Sequence, residues 1–320
     1  MLRHIIVMGL VAFTLVACAK PVDPRSLTQA TVPLYHPAKT NVADAPTIKS
    51  IFTPSTGFLG SPATVTFLVA IDGQYFDGGR RSDPHPVPAG PHVISIGYAT
   101  RGRSSQVAVL VDFKPGASYV IRQDNSGLTL NSINNAGPDD ILWVEDEKTG
   151  LAITPKQSTT IYDNPDRYVP PSDATSTISG SRGGQFLDHF VSFIQMVDGK
   201  IVNGDGAASI LEGEHGRPDY AVPVAAGRHA MAIRIDYNLT YGVFPLYFDV
   251  KPSTSYVVKF EGPLSKIIGN RQTYVISFWI EEMGSGALAL PKVDMPISYG
   301  RKYKPEELGT ETPPAAPTQP

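Results

Sequence analysis

The chain has 320 residues, with 27 basic and 30 acidic side chains for a formal net charge of −3, and 42% of its residues are apolar. This near balance leaves no basic footprint for nucleic acid or anionic lipid, which excludes nucleic acid as a partner. The apolar fraction is enough for a packed core, and the single cysteine excludes an internal disulfide. Ordinary packing must therefore stabilise the fold, and the length favours two domains.

Residues 1–17 have the parts of a secretory signal. Arg3 precedes an apolar run from Ile5 to Phe13. The run ends shortly before Lys20, so it is too short for the roughly twenty-residue helix that spans a bilayer. We therefore expect this segment to be a signal peptide that is cut off on export.

The signal ends in Leu15-Val16-Ala17-Cys18, which resembles the lipobox of bacterial lipoproteins. The resemblance implies a diacylglycerol on the Cys18 thiol and a further acyl chain, such as palmitate, on the new amino group. A lone cysteine in an exported chain has no disulfide partner, which favours this over an ordinary signal that contains a cysteine by chance. Several acyl chains anchor a protein stably. By the sorting rule of enteric bacteria, Ala19 implies the outer membrane, on its periplasmic face or at the cell surface.

A tandem duplication organises the rest of the chain. Ala89-Gly90-Pro91-His92 recurs as Ala226-Gly227-Arg228-His229, and Lys114–Val120 recurs as Lys251–Val257, both 137 positions later. The only two tryptophans, Trp143 and Trp279, recur at an offset of 136. The turn Asp72-Gly73 recurs as Asp198-Gly199 at an offset of 126, so the second copy has 11 extra residues before its Ala-Gly-x-His.

Apolar residues alternate within each copy, as in half-buried β-strands. The alternation predicts one shared face for Val65, Phe67, Val69 and Ile71, another for Ile94, Ile96 and Tyr98, a third for Val107, Val109, Val111 and Phe113, and a fourth for Phe244, Leu246, Phe248 and Val250. Asp112 and Asp249 fall on the opposite face of equivalent strands. Helix signals are weak, so the predicted fold is all-β, with two tandem antiparallel β-sandwich or open-barrel domains.

Composition sets the predicted boundaries. Segments rich in Pro, Thr and Ala do not form a core and predict a tether, a linker and a disordered tail. The expected organisation is a signal peptide at 1–17, a flexible tether at 18–46, a first β domain at 47–154, a linker at 155–175, a second β domain at 176–292 and a Pro-rich tail at 293–320.

The Asp-Gly turn, the Val-Pro-Ala-Gly-x-His segment at 87–92 and the Lys-Pro-Gly-x-Ser-Tyr segment at 114–119 together resemble the PEGA-type domains of bacterial surface lipoproteins and a related lipoprotein domain of unknown function. These motifs consist of turn and strand-start residues, so the resemblance implies a fold and no catalytic residues. The second copy departs from the pattern at Ser253, where the first has Gly116.

Four sets of polar or aromatic residues are candidates for chemistry. His92 and His229 each follow a turn glycine and are expected to close that turn on a carbonyl or carboxylate, although a shared metal or catalytic role is the alternative. Trp143 and Trp279 are expected in the core, with exposed sugar-stacking platforms as the alternative. The clusters Glu145-Asp146-Glu147 and Glu281-Glu282 lack the oxygen spacing of a calcium loop and are expected to be solvated strand ends.

The 11-residue insertion contains Asp205, Glu212, Glu214 and His215. It predicts a flexible hairpin, with a possible binding loop or cation site as the alternative, because one histidine with scattered carboxylates is a weak ligand set. No metal and no cofactor are expected.

The duplication repeats fold-forming residues without repeating a catalytic motif. We therefore expect no enzyme but a membrane-anchored envelope lipoprotein that acts as a binding or scaffolding module, with the membrane as one partner through acylated Cys18 and an envelope protein or polysaccharide as another. The alternative is a surface-exposed adhesin or glycan-binding lipoprotein. A hydrolase that uses Asp205 to His215 is the remaining possibility.

Overall fold

The computed structural model describes residues 27–35, 44–54, 63–76, 83–100, 103–124, 141–158, 167–183, 190–202, 219–237, 240–302, 304 and 306. These residues form β-strands joined by turns and bends. The predicted all-β fold is confirmed.

The strands fall into two series that match the duplicated sequence. A short strand, β1 (Thr28–Gln29), precedes both. The first repeat contains β2 (Thr47–Lys49), β3 (Phe52–Thr53), β4 (Thr64–Ile71), β5 (Gln74–Tyr75), β6 (His85–Pro86), β7 (Gly90–Thr100), β8 (Arg103–Phe113), β9 (Ser118–Asp124), β10 (Ile141–Asp146) and β11 (Gln157–Ser158). The second contains β12 (Ser176–Ser179), β13 (Ser181–Gly183), β14 (Phe190–Val197), β15 (Lys200–Ile201), β16 (Val222–Val224), β17 (Gly227–Tyr237), β18 (Thr240–Val250), β19 (Ser255–Ile268), β20 (Arg271–Glu282) and β21 (Leu288–Lys302).

Each repeat forms an outer and an inner sheet with the same strand order. The outer sheets run β11-β10-β9-β2-β6 and β21-β20-β19-β12-β16, and β1 adds to β19. The inner sheets run β3-β4-β7-β8, with β5 on β4, and β13-β14-β17-β18, with β15 on β14. Pairing is antiparallel apart from β1–β19, β2–β9 and β12–β19, which are parallel. The duplication is therefore a structural repeat strand by strand.

The four sheets stack as outer, inner, inner, outer. One apolar cluster, which includes Ile94, Val109 and Ile121, fills the space between the two sheets of the first repeat. A second brings Val93 and Ala108 of the first inner sheet against the second inner sheet. A third fills the second repeat. The two inner sheets are therefore covered on both faces, and the two outer sheets each leave one face to solvent.

Double coverage explains where the predicted alternation fails and where it holds. Every residue of β14 is buried, because both of its faces contact another sheet. The faces predicted for β7, β8 and β18 are confirmed, since their apolar sets lie in the cores of their own repeats. Asp112 and Asp249 are exposed as predicted.

The shared face predicted for Val65, Phe67, Val69 and Ile71 is wrong. The register of β4 against β7 shifts between Leu68 and Ala70, which marks a β-bulge at Val69. An extra residue in a strand reverses the faces that follow it. Ile71 therefore joins Leu68 in the core of the first repeat, while Val69 packs against the cluster of the second repeat. The equivalent bulge occurs between Ile194 and Met196 in β14.

Reciprocal contacts join the two repeats at the Asp-Gly turns. Gly73 has a φ of +81°, and a Cβ there would lie 3.3 Å from the ring of Phe244 in the second repeat. Gly199 has a φ of +78°, and a Cβ there would lie 3.4 Å from Leu110 in the first. Glycine fits both turns because it accepts positive φ and allows the close approach. The Asp-Gly turn of each repeat therefore also packs against the other repeat.

Residues 27–35 connect both repeats. Ala30 donates its N–H to the carbonyl of Ile267 in β19, and Tyr35 and Tyr75 form a backbone hydrogen bond at β5. Oδ2 of Asp294 in β21 accepts the N–H of Thr31 at 2.5 Å. This part of the predicted tether is thus hydrogen-bonded to the folded domains.

Two predicted boundaries also differ from the strands. β11 begins at Gln157, inside the predicted linker, and pairs with β10 of the first repeat. β21 continues to Lys302, beyond the predicted end of the second domain at 292. Val293 and Ile297 pack against the core of the second repeat, which is why the strand extends so far.

Candidate functional site

A pair of Asp and His side chains occupies the same place in each repeat. Nδ1 of His92 donates to Oδ2 of Asp72 at 2.5 Å, and Nδ1 of His229 donates to Oδ2 of Asp198 at 2.7 Å. The other carboxylate oxygen of each aspartate accepts the backbone N–H after the histidine, at 3.0 and 2.9 Å. Both aspartates have positive φ, 47° and 49°. Each carboxylate thus ties its turn to the following long strand.

These pairs have the composition of a catalytic dyad but not its geometry. Nε2 of His229 donates to the carbonyl of Ala225 at 3.0 Å. The carbonyl of Ala89 is likewise a hydrogen-bond partner of His92. A general base needs its second nitrogen directed at a nucleophile or substrate. Because a backbone carbonyl occupies that position, the expectation that both histidines close their turns is confirmed.

The surroundings of His92 favour its charged form. Burial lowers the pKa of His92, but the hydrogen bond and charge of Asp72, with the Ala89 carbonyl and the charge of Asp112, raise it above its ordinary value. The protonated ring can donate to both Asp72 and the Ala89 carbonyl, so this form of His92 stabilises the turn most strongly.

The second repeated motif is also structural. The hydroxyl of Tyr119 accepts the backbone N–H of Lys114 at 2.8 Å, and the hydroxyl of Tyr256 accepts that of Lys251 at 2.9 Å. Both tyrosine rings are buried. The Lys-Pro-x-x-Ser-Tyr segment therefore folds its own turn, with the tyrosine hydroxyl as the acceptor for the lysine N–H.

The prediction that the tryptophans are core residues is wrong. Leu142 and Val144 on either side of Trp143 are fully buried, so the indole between them points to the solvent face of the outer sheet. Trp279 lies likewise between Phe278 and Ile280. Both indoles are partly exposed. They lie on the outer sheets, at opposite sides of the four-sheet stack.

A lysine covers each indole. Nζ of Lys156 lies 4.5 Å from the ring centroid of Trp143, and Nζ of Lys292 lies 5.3 Å from that of Trp279. In both repeats the edge strand is irregular opposite the tryptophan, between Ile153 and Gln157 in the first and between Leu290 and Val293 in the second. We call each tryptophan with its lysine an indole–ammonium element.

Sequence reasoning missed these lysines although a signal was present. Pro155-Lys156 recurs as Pro291-Lys292 at the same offset of 136 as the tryptophans. The predicted boundaries place the first pair in the linker and the second pair in the second domain, which hides their equivalence. Extending the repeat past Gly150 reveals it.

The acidic clusters bind neighbouring side chains and turns. Nε and Nη2 of Arg122 donate to Oε1 of Glu145 at 3.0 and 2.9 Å, and Glu147 pairs with Lys49. Asp146 accepts the N–H of Thr149 at 2.8 Å. In the second repeat, Glu282 pairs with Lys251. Within the described residues, no group of three His, Cys, Asp or Glu side chains is placed to hold a metal ion.

Several predicted residues lie outside the described part of the chain: Cys18, Asp205, Glu212, Glu214 and His215. Acylation at Cys18 and the binding loop of the insertion therefore remain predictions. No helix among the described residues has the length and apolarity to cross a bilayer.

Comparison with known proteins identifies no family. No protein-family model matches the chain, and no curated protein matches it. Among solved structures, a similarity is found to SGBP-B of the mixed-linkage glucan utilization locus of Bacteroides ovatus, in complex with a mixed-linkage heptasaccharide. It has 13% identity, covers 73% of this chain and 72% of that chain, and has a TM-score of 0.13. So low a score establishes neither a shared fold nor a shared ligand, and the resemblance to PEGA-type domains stays a prediction.

Proposed function

We propose that this protein is a non-enzymatic binding or scaffolding module of the bacterial cell envelope, anchored in the outer membrane through acylated Cys18. One observation carries the proposal: the repeated acid–base pairs serve the fold, while the repeated indole–ammonium elements face solvent. Aromatic side chains with adjacent cations are the groups that dominate recognition surfaces. Their position on two opposite outer sheets gives one chain two contact surfaces.

A second candidate is favoured by the exposure of the indoles. A flat, partly exposed aromatic ring suits the apolar face of a sugar ring, and hydrogen-bonding groups beside it suit the hydroxyls. The protein is then a glycan-binding lipoprotein at the cell surface. Protease treatment of intact cells separates the two locations, since degradation of the domains supports surface exposure and protection supports a periplasm-facing module.

Binding itself is tested with isolated envelope material. The full chain is incubated with outer-membrane and cell-wall polysaccharide fractions, alongside a Trp143→Ala/Trp279→Ala variant. We expect the variant to lose at least tenfold in retention. Tyr274→Ala is the matched control, because Tyr274 is an aromatic residue with 43% exposure outside both elements. Equal retention of all three proteins would overturn the proposal that these elements are the contact surface.

The anchor is tested separately. Cys18→Ser is expected to release the protein into the soluble fraction or leave an uncleaved precursor, because the thiol that accepts the lipid is gone. A correctly processed Cys18→Ser protein that stays in the membrane would contradict the lipid anchor.

A further inference from the structure

We propose that the element around Trp143 binds a saccharide that carries a carboxylate, and that the equivalent element around Trp279 lacks this selectivity. The proposal rests on the glycan-binding form of the proposed function and goes further by naming the ligand class and the repeat that takes it. It follows from how each repeat uses the polar groups beside its indole.

The second repeat satisfies these groups internally. Nε1 of Trp279 donates to Oε1 of Glu281 at 2.6 Å. The ammonium group of Lys292 pairs with Glu261 of β19. The indole N–H and the cation beside it therefore already have carboxylate partners, which leaves little attraction for an added anion.

The first repeat leaves the same two groups open. Glu145, the equivalent of Glu281, is held by the guanidinium of Arg122, which donates to it twice. In that arrangement Nε1 of Trp143 has no acceptor among the residues that the structure describes. The second repeat has Lys259 in place of Arg122. A guanidinium that donates twice to one oxygen of Glu145, where the second repeat has the indole N–H of Trp279 on Glu281, is the chemical difference between the two repeats.

Lys156 differs from Lys292 in the same way, because it also has no carboxylate partner within the described part of the chain. Its side chain is exposed, and it forms no ion pair with a carboxylate in the described ranges. Asp124 occupies the position equivalent to Glu261 but is one methylene shorter. Lys156 therefore places a positive charge over the ring of Trp143, and no carboxylate in the described ranges neutralises that charge.

The open groups define a ligand. The face of the indole takes the C–H face of a pyranose, the indole N–H takes a hydroxyl or carboxylate oxygen, and the ammonium group takes a carboxylate. An acidic sugar ring carries all three features. A neutral sugar has no carboxylate to pair with Lys156, so the ammonium group would stay over the indole ring. Because the site is solvent-facing, the added attraction is modest and screened by salt.

The test uses the full chain with two matched probes, a tetrasaccharide of galacturonate and a tetrasaccharide of galactose. Binding is measured by calorimetry and by the fluorescence of Trp143 in a Trp279→Phe background. We expect saturable binding of the uronate, about two- to fivefold tighter than the neutral probe at low ionic strength and less so at high salt. Lys156→Gln should reduce this preference to near unity, and Trp143→Ala should abolish the preferential binding of the uronate.

The second repeat supplies the controls. Tyr274→Ala, outside both elements, is expected to leave uronate binding unchanged, and Lys292→Gln is expected to leave the preference for the uronate unchanged. Circular dichroism checks that every variant is folded. Equal affinity for the two probes, lost in Trp143→Ala, would overturn the charge selectivity while leaving the glycan-binding module intact. A preference for the uronate that depends on Trp279, or no saturable binding of the uronate, would overturn the inference. In the last case, retention on envelope fractions still decides whether the protein is a binding module.

Discussion

The carboxylate of Asp72 holds both the ring of His92 and the backbone of the strand behind it. Oδ2 accepts Nδ1 of His92 at 2.5 Å, and Oδ1 accepts the N–H of Val93 at 3.0 Å. The N–H of Asp72 in turn donates to the carbonyl of Val93 at 2.9 Å. The Asp-Gly turn and the Ala-Gly-x-His segment, separated in sequence, are therefore one structural unit.

Asp72→Asn is expected to lower the free energy of unfolding by about 1–3 kcal/mol at pH 5, the range for hydrogen bonds to charged groups. The pKa of His92 is raised in the folded state by Asp72 against the opposing effect of burial. Its contribution is therefore complete below the unfolded pKa of about 6.5 and is lost as the pH rises through the folded value. Denaturation at several pH values should show a smaller loss above neutrality.

His85 provides the comparison within the same domain. Burial lowers its pKa, against the opposing charge of Asp83. NMR titration should therefore find His92 losing its proton at a higher pH than His85, and Asp72→Asn should reduce the gap. If His92 titrates at or below the pH of His85, the Asp72 bond does not stabilise the charged ring.

Tyr119→Phe and Tyr256→Phe form a matched pair of tests of the second repeated motif. Each removes the hydroxyl that accepts a lysine N–H, at 2.8 Å for Lys114 and 2.9 Å for Lys251. We expect each change to lower the free energy of unfolding by about 1 kcal/mol, with equal effects in the two repeats. Urea denaturation measures both, and wild-type stability in either variant would contradict the capping role.

A buried ion pair lies where the two inner sheets meet. Nε of Arg234 donates to Oδ1 of Asp236 at 2.6 Å, and the guanidinium lies 3.6 Å from the ring centroid of Tyr241. Asp236→Asn is expected to cost about 3–5 kcal/mol, because it removes the charge of the carboxylate that the buried guanidinium is bonded to. Arg234→Met/Asp236→Leu should recover most of that loss. A double variant as unstable as Asp236→Asn would show that the charge imbalance is not the cause.

Asp294 fastens residues 27–35 to the second repeat. Its carboxylate accepts from Nζ of Lys266 at 2.8 Å, Oγ of Ser277 and the N–H of Thr31, both at 2.5 Å. Asp294→Asn is expected to lower the free energy of unfolding by about 2 kcal/mol. Hydrogen exchange should then speed up at Ala30, whose N–H bonds to β19. Unchanged protection at Ala30 would mean that other contacts hold the segment.

The carboxylate of Asp294 also predicts the pH below which the attachment of residues 27–35 weakens. Burial raises the pKa of Asp294, but the bonds from Lys266, Ser277 and Thr31 and the charge of Lys266 hold it below its usual value. Its contribution is present above the unfolded pKa of about 3.9 and is lost as the pH falls through the lower folded value. The protection of Ala30 against exchange, measured relative to the intrinsic rate at each pH, should therefore fall only under strongly acid conditions.

The difference between the two indole–ammonium elements is visible without a ligand. Trp279→Phe and Trp143→Phe each leave one indole to report by fluorescence. Iodide should quench Trp143 more than Trp279, since Lys156 attracts the anion while Glu261 neutralises Lys292. Caesium should show no such preference for Trp143. Equal iodide quenching of the two indoles would contradict the charge assigned to the first element.

Local patterns predicted the strands whose environment is uniform along their length. The alternating residues of β8 and β18 face their cores as expected. The pattern misassigned β4, because a one-residue bulge at Val69 leaves no mark in an alternating sequence. It misassigned Trp143 and Trp279, because an apolar run does not reveal which face is covered. The indole–ammonium elements could not be predicted from the pattern, because each lysine meets its tryptophan only through the pairing of β10 with β11 and of β20 with β21.

The sequence by itself determined that the chain is a duplicated all-β protein, since turn residues and period-two patterns are local and recur at fixed offsets. It also determined that the two copies share their Asp, His, Tyr and Trp positions. Only the tertiary structure decided that the inner sheets are buried on both faces, that Asp72 pairs with His92 and Asp198 with His229, and that the tryptophans face solvent. Those facts depend on which surfaces meet, and sheet-on-sheet contacts join residues far apart in the chain with no periodic signal of their own.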